Sequence, residues 1–351
     1  MLDQEHTLGD DALTELIVSV PYVLRFFPQD SLILLPVPST KPGCFGAIRV
    51  NLTDPVGGVL PFYGLGSSLT CQGWDRVVVL VVGGESPVAV DVPPYQRLVD
   101  QIETTLHHNN VKVESSAWVP EIRQGARWMR YTEQQANTGT LSDPHSCDAA
   151  AQAASAREVT YGSLQDLVNS VTSEDADVLV RRRWQLSLLE CHGAAAPYES
   201  VTSLARKVRR IDEAVLAADK GTLPHDDRQI VLLGRALSHA LVWESCLGYN
   251  FTDHAHAAHR LWWHLTRCLP DRHAVEPAAL LSLSSSMMGH TELAKVAART
   301  AAAADPGRHN MAEFAKLNLY GVLPPVAIDF LAATAATACQ QINNILGITS
   351  G

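Results

Sequence analysis

HALVWESCLGYNFTDHAHAAHRLWWHLTRCLPDR, residues 239–272, and VEPAALLSLSSSMMGHTELAKVAARTAAAADPGR, residues 275–308, can be laid over one another at an offset of 36 residues. Their shared pattern decides how the second half of the chain is read. In the second stretch, Gly289 marks a turn, Ala294, Ala298 and Ala301 keep small residues on one helix face, and Pro306 closes the second helix. In the first, Tyr249, Ala258, Trp262 and Pro270 hold comparable places. Small alanines let two antiparallel helices approach closely, bulky Trp262 and Tyr249 fill the gap between them, and a proline cannot continue the helix.

This is the spacing of a tetratricopeptide unit. Residues 157–351 therefore read as an all-α, tetratricopeptide-like domain with units at 239–272 and 275–308. Helical periodicity also runs through 163–171, 176–189, 198–217 and 227–248. After Leu323-Pro-Pro, residues 326–346 form a last, largely apolar helix that would cap the array, since stacked helix pairs need a closing element.

The first 150 residues read differently, as an α/β domain with a mixed sheet. Asp10 or Asp11 can cap a helix carrying Leu13, Leu16, Ile17 and Val20, which Pro21 should end or kink. Residues 31–37 read as a buried strand and 48–52 as a half-buried one hairpin-paired with it. VVVLVV at 77–82 has the composition of a central strand covered on both faces. Pro93 and Pro94 open a helix with a Leu98, Ile102 and Leu106 stripe, and 111–119 is a further strand, so strand, helix and strand imply a right-handed parallel crossover. Residues 127–131 read as an antiparallel edge strand, 55–73 as an irregular glycine-rich loop, and 132–156 as the polar exit from the sheet.

Of 351 residues, 46% are hydrophobic and 18% charged, enough for two ordinary cores. A net charge of -10 argues against nonspecific nucleic-acid binding, which draws its affinity from Lys and Arg. Seven scattered cysteines without CxxC spacing read as reduced thiols of a cytoplasmic protein, and imply no metal. No apolar run is long enough to span a membrane, and the acidic residues Asp3, Glu5, Asp10 and Asp11 argue against a signal peptide.

VPYVLRFFPQDSLILL, residues 20–35, resembles the opening signature of an actinobacterial family known as domain of unknown function 4192. Arg49 in AIRVNL, the Arg127-Trp128 pair, Ala258, Leu261-Trp262, Gly289, Ala294, Asp305-Pro306 and Leu323-Pro324-Pro325 follow the same order. The resemblance implies an α/β domain followed by helices, and no particular activity. Arg25 stands where that family has glycine, Leu164 where it has arginine, and the segment 132–138 replaces a cysteine-rich one.

No set of residues assembles into catalytic chemistry, and neither a cofactor nor a metal is implied. In Asp253-His-Ala-His-Ala-Ala-His259, His256 and His259 could share a helix face, but a third ligand is lacking at a predictable spacing, and Asp253 reads as a cap. Asp226 and Asp227 are better explained as N-caps than as a catalytic pair. Arg181 to Arg183 and the basic residues of 206–210 read as solvated or ion-paired faces. Ser67 and Ser163 lack the frame of a nucleophile, and Gly64-Leu-Gly-Ser-Ser lacks the ending of a phosphate loop.

Two functions from different classes follow. The first is a non-catalytic interaction protein whose helical half presents Trp243, Leu247, Asn250, Phe251, Leu283, Ser286 and Met287 to a protein partner. The alternative is a small-molecule or nucleotide-binding α/β protein, enzymatic or not, with a crevice at Gly83, Gly84, Glu85 and Ser86, beyond the carboxyl end of the best strand. The plainer readings are packing for the first set and an ordinary turn for the second.

Overall fold

A computed structural model describes residues 8–37, 46–52, 74–84, 92–131, 138–172, 175–194, 200–305 and 323–348. The chain divides into two compact units. The first comprises Met1–Leu167 with Met288–Glu292, and the second Val168–Met287 with Leu293–Gly351.

In the first unit, helix α1 (Asp10–Leu24) precedes strands β1 (Ser31–Pro36), β2 (Ile48–Asn51) and β3 (Arg76–Val82). Helix α2 (Gln96–His108) is followed by β4 (Lys112–Val119), β5 (Arg127–Arg130), β6 (Thr138–Thr140) and α3 (Asp148–Ser155). The six strands form one sheet in the order β2-β1-β3-β4-β5-β6. β3 and β4 pair in parallel across α2, and every other neighbouring pair is antiparallel. All of β3 beyond Arg76 is buried, as a strand covered on both faces requires.

Four details depart from the sequence reading. Pro21 neither ends nor kinks α1 out of existence: the helix runs on to Leu24 and stops at Arg25, whose φ of 74° is left-handed. Its N-cap is Gly9, which frees Asp10 to accept from Arg130 at 2.9 Å. α2 starts at Gln96, after Pro93 and Pro94, because Tyr95 is left-handed at φ 66°. β5 is not an edge, since β6 from the polar exit segment pairs outside it. The pairing depends on Gly139, where any Cβ would lie 2.4 Å from the Trp128 ring. That ring is fully buried and its indole N–H donates to the Thr14 hydroxyl, which fastens α1 to the sheet.

Helix α4 (Leu164–Val171) contains the boundary between the units. The second unit continues with α5 (Ala176–Ala194), α6 (Val201–Asp219), α7 (Asp227–Leu237) and α8 (Ala240–Cys246), then a 3-10 stretch at Leu247–Phe251. It ends with α9 (Ala255–Cys268), α10 (Val275–Met287), α11 (Thr291–Ala304) and α12 (Pro325–Leu346). Among the described residues no strand follows β6, and Tyr161 makes only an isolated bridge to Phe26. The expected single helix at 227–248 is two helices bent by 97°, because His239 is extended and caps a new helix. Asp226 caps α7 by accepting from the Gln229 amide at 3.1 Å. Asp253 caps nothing; Thr252 supplies the oxygen that meets the His254 amide.

Helices form over both stretches, but α9 packs chiefly on α10 and α6 rather than on α8; Tyr249 and Trp262 lie 6.4 Å apart between ring centroids. In the second stretch, the Ser282 hydroxyl donates to the Ala294 carbonyl at 2.9 Å. α10 is buried around its whole circumference from Val275 to Ser286, and its serines are satisfied within the helices. α12 packs on α8, the 3-10 stretch and α6. It thereby lies against α8 and the turn that follows it. A Cβ on Gly248 would make ordinary contact with Ala335, at 3.7 Å.

Ala258 and Ala294 are both buried at these helix contacts. Ala294→Leu should overpack its contact and cost about 1 to 3 kcal/mol, read as a lowered melting midpoint by circular dichroism.

Candidate functional site

The loop after β3 is built as a turn. Gly83 and Gly84 have φ of 76° and 80°, a region L-residues avoid. A Cβ on Gly84 would lie 2.5 Å from the Tyr95 ring, and one on Gly83 2.9 Å from the Asp30 nitrogen. The Gly84 amide donates to the Asp30 carboxylate at 2.7 Å, and the Gly83 carbonyl accepts from the Trp118 indole at 3.0 Å. The amide that would receive an anion at this position is therefore already facing a carboxylate. Glu85 and Ser86 lie outside the described residues.

The seven residues proposed for a partner face do not share one surface. Leu247, Leu283 and Ser286 are buried. Trp243 and Met287 are half-buried, and the Trp243 indole donates to the Glu276 carbonyl at 3.2 Å. Asn250 donates to the Leu247 carbonyl within its own turn. Phe251 alone of the seven is exposed, at 45%. It stands at the rim of a groove of about 580 Å³ whose walls come from α6 (Val208, Ile211, Asp212), from α8 and the following turn (Val242, Ser245, Tyr249) and from α12 (Ala332, Ala335, Ala336, Cys339, Ile342). The groove was not legible in the sequence because α12 supplies one wall from some ninety residues further along the chain.

Among the described residues Asp212 is the one carboxylate lining this groove, and it is engaged: the Tyr249 hydroxyl donates to it. Burial, with Asp212 adding to it, pushes the Tyr249 hydroxyl well above the ordinary tyrosine range. Burial likewise raises the thiols of Cys246 and Cys339, so both stay protonated at neutral pH. The groove is thus apolar and chemically quiet.

The histidine and arginine clusters separate on folding. His264 Nε2 meets the Pro224 carbonyl at 2.6 Å, and His259 Nε2 meets the Ser285 hydroxyl at 3.1 Å. Among the described residues no three His, Cys, Asp or Glu side chains are grouped to hold a metal ion. Arg181 and Arg182 pair with Asp227, and Arg183 with Asp271. Arg182 is buried and also donates to the Cys268 carbonyl at 2.8 Å, so this basic run ties helices together.

A denser cluster of charge forms where sequence reasoning did not look. Within the first unit, Arg25 pairs with Glu158, and His290 Nε2 lies 3.5 Å from the same carboxylate. Arg49 lies 3.9 Å from Glu292, donates to the Ser31 hydroxyl at 2.7 Å and stacks over the Phe26 ring at 5.6 Å. The Thr291 hydroxyl donates to the Ala47 carbonyl. The four ion-pairing side chains other than Glu158 are at most 10% exposed. The signature at 20–35, the Arg49 strand and the turn at Gly289 thus meet at one place.

Residues 14–326 match the family described as Domain of unknown function (DUF4192). The chain belongs to this family. Among curated proteins and solved structures, none matches it.

In this DUF4192 member Arg25 occupies a backbone position that favours glycine. Its left-handed backbone is the conformation glycine adopts without strain, and its guanidinium fills the space beside Glu158. Burial lowers the pKa of that guanidinium, and Glu158 opposes the shift. Glu158→Gln leaves Arg25 buried without its counter-charge and should cost about 3 to 5 kcal/mol. Arg25→Gly combined with Glu158→Gln should recover a large part of that loss. Urea unfolding of the two variants checks the order; equal midpoints would show that the pair carries no coupling.

Proposed function

We propose that the protein acts non-catalytically in the cytoplasm, as an interaction module whose tetratricopeptide-like helical half takes a protein partner. The observation that carries this reading is the apolar groove between α6, α8 and α12, with Phe251 exposed on its rim. Exposed aromatics beside desolvated pockets tend to dominate binding energy. An apolar segment of a partner could fill the groove without breaking an ion pair, because Asp212 is already bonded to Tyr249. The order of the helices over the two stretches and the ring contact of Tyr249 with Trp262 support the repeat-like reading. Five free cysteines among the described residues fit a reducing compartment.

The small-molecule reading draws less support, because the Gly84 amide is occupied by Asp30. The experiment is photo-crosslinking of the full chain in its native host, with a benzophenone amino acid in place of Phe251 and, as a control, of the exposed Gln124 in the first unit. A discrete polypeptide adduct is expected at 251 and not at 124. Phe251→Ala should weaken the isolated complex by about tenfold, as loss of an aromatic anchor does, with the circular-dichroism spectrum unchanged. Adducts of equal yield at both positions, or saturable nucleotide binding abolished by Gly84→Ala, would transfer the function to the alternative class.

A further inference from the structure

Among the described residues, the face of α12 opposite its buried side is exposed. Leu331, Ala335, Ala338 and Ile342 point inward. On the other side, Val326, Ala333, Thr337, Asn344 and Phe330 fall within an arc of about 60° at 3.6 residues per turn. Val326 is 73% exposed and Phe330 63%, while Ile345 and Ile348 at the far end are 45% and 55% exposed. Ile348 lies just past the helix but is fixed there, since Gly347 is left-handed at φ 70° and the Ile348 amide donates to the Asn343 carbonyl at 2.9 Å.

Charge is the second observation. From Pro325 to Leu346 the only Asp, Glu, Lys or Arg is Asp329, in a chain whose net charge is -10. Two copies of so acidic a chain repel one another over most of their surface. They meet at least electrostatic cost along a face without charges, and charge depletion marks the cores of homodimer contacts.

The third observation is self-complementarity. Val326 and Ile348 stand equally far from Thr337 on either side, as do Phe330 and Asn344. In an antiparallel pair with its two-fold axis at Thr337, Val326 of one copy covers Ile348 of the other. Phe330 then covers Asn344 beside Ile345. Ala333 and Thr337 are small enough for the helix axes to close to about 8 to 10 Å. This is the isologous arrangement a two-fold axis requires.

We infer that the outer face of α12 is a homodimer interface, occupied by α12 of a second copy in antiparallel orientation. It goes beyond the partner groove, which opens on a different side of the same helix. Sedimentation velocity on the full chain, from about 1 to 100 µM, should show the mass rising toward two chains, since a contact of one helix pair is below standard interface size and reversible. Phe330→Glu should stay monomeric throughout with an unchanged melting curve, and Phe251→Ala should still dimerise. For orientation, Thr337→Cys in a Cys191→Ser, Cys339→Ser background should form a covalent dimer under copper-phenanthroline oxidation. Asp329→Cys in that background should not, because the two copies of residue 329 lie about 24 Å apart in this register at 1.5 Å per residue. A monomer at every concentration, a dimer that survives Phe330→Glu, or cross-linking at 329 as fast as at 337 would overturn the proposal.

Discussion

Burying charge is costly unless each group finds its counter-charge, and the first unit is organised around that constraint. Arg25, Glu158 and His290 form one arm of the cluster, and Arg49 with Glu292 forms the other, with Ser31 and Phe26 against the Arg49 guanidinium. A carboxylate or guanidinium left alone in such a place loses several kcal/mol of hydration, about as much as a small domain's net stability. Elements that supply these groups are therefore held in register. The end of α1, the start of β1, the approach to β2, the segment after α3 and the turn into α11 must all be in place together. The Gly46 and Gly289 backbones come close enough that a Cβ on Gly46 would lie 3.4 Å from the Gly289 carbonyl oxygen.

This constraint explains why the β1–β2 hairpin and the β3–β4 crossover were legible in the sequence and the site was not. Strand β3 and its parallel crossover to β4 are encoded locally, by the continuous apolar run at 77–82 and by the stripe on α2. By contrast, Gly289 reads from its neighbours as a turn between two helices, which it is. Nothing adjacent to it says that Met288–Glu292 belongs to the unit that carries the sheet. His290 and Glu292 looked like ordinary turn and first-turn residues, because their partners, Glu158 and Arg49, are more than a hundred residues away. The break at His239 was missed for a related reason. Helical spacing persists through it, and only the extended backbone of one residue redirects the chain.

The partner face fared unevenly for the same physical reason. Repeat position puts Trp243, Leu247, Asn250, Phe251, Leu283, Ser286 and Met287 on one face, but it does not say how many neighbours those helices have. α10 is buried all round, as expected of a helix whose apolar and small residues cover every side. Leu283 and Ser286 are consequently core. Phe251 stays exposed because the 3-10 stretch ends there and Thr252 turns the chain away.

α12 completes the argument about where free energy is left to gain. Its inward face has a limited supply of large side chains, four residues of which two are alanines. Val326 and Phe330 are on the outside, with Ala333, Thr337 and Asn344 between them and the far end. Folding the monomer therefore leaves two sizeable apolar side chains of this helix in water. Burying one such side chain is worth about 1.5 to 3 kcal/mol, so a helix that leaves its phenylalanine and a valine facing outward has withheld from its own core energy that an association can use.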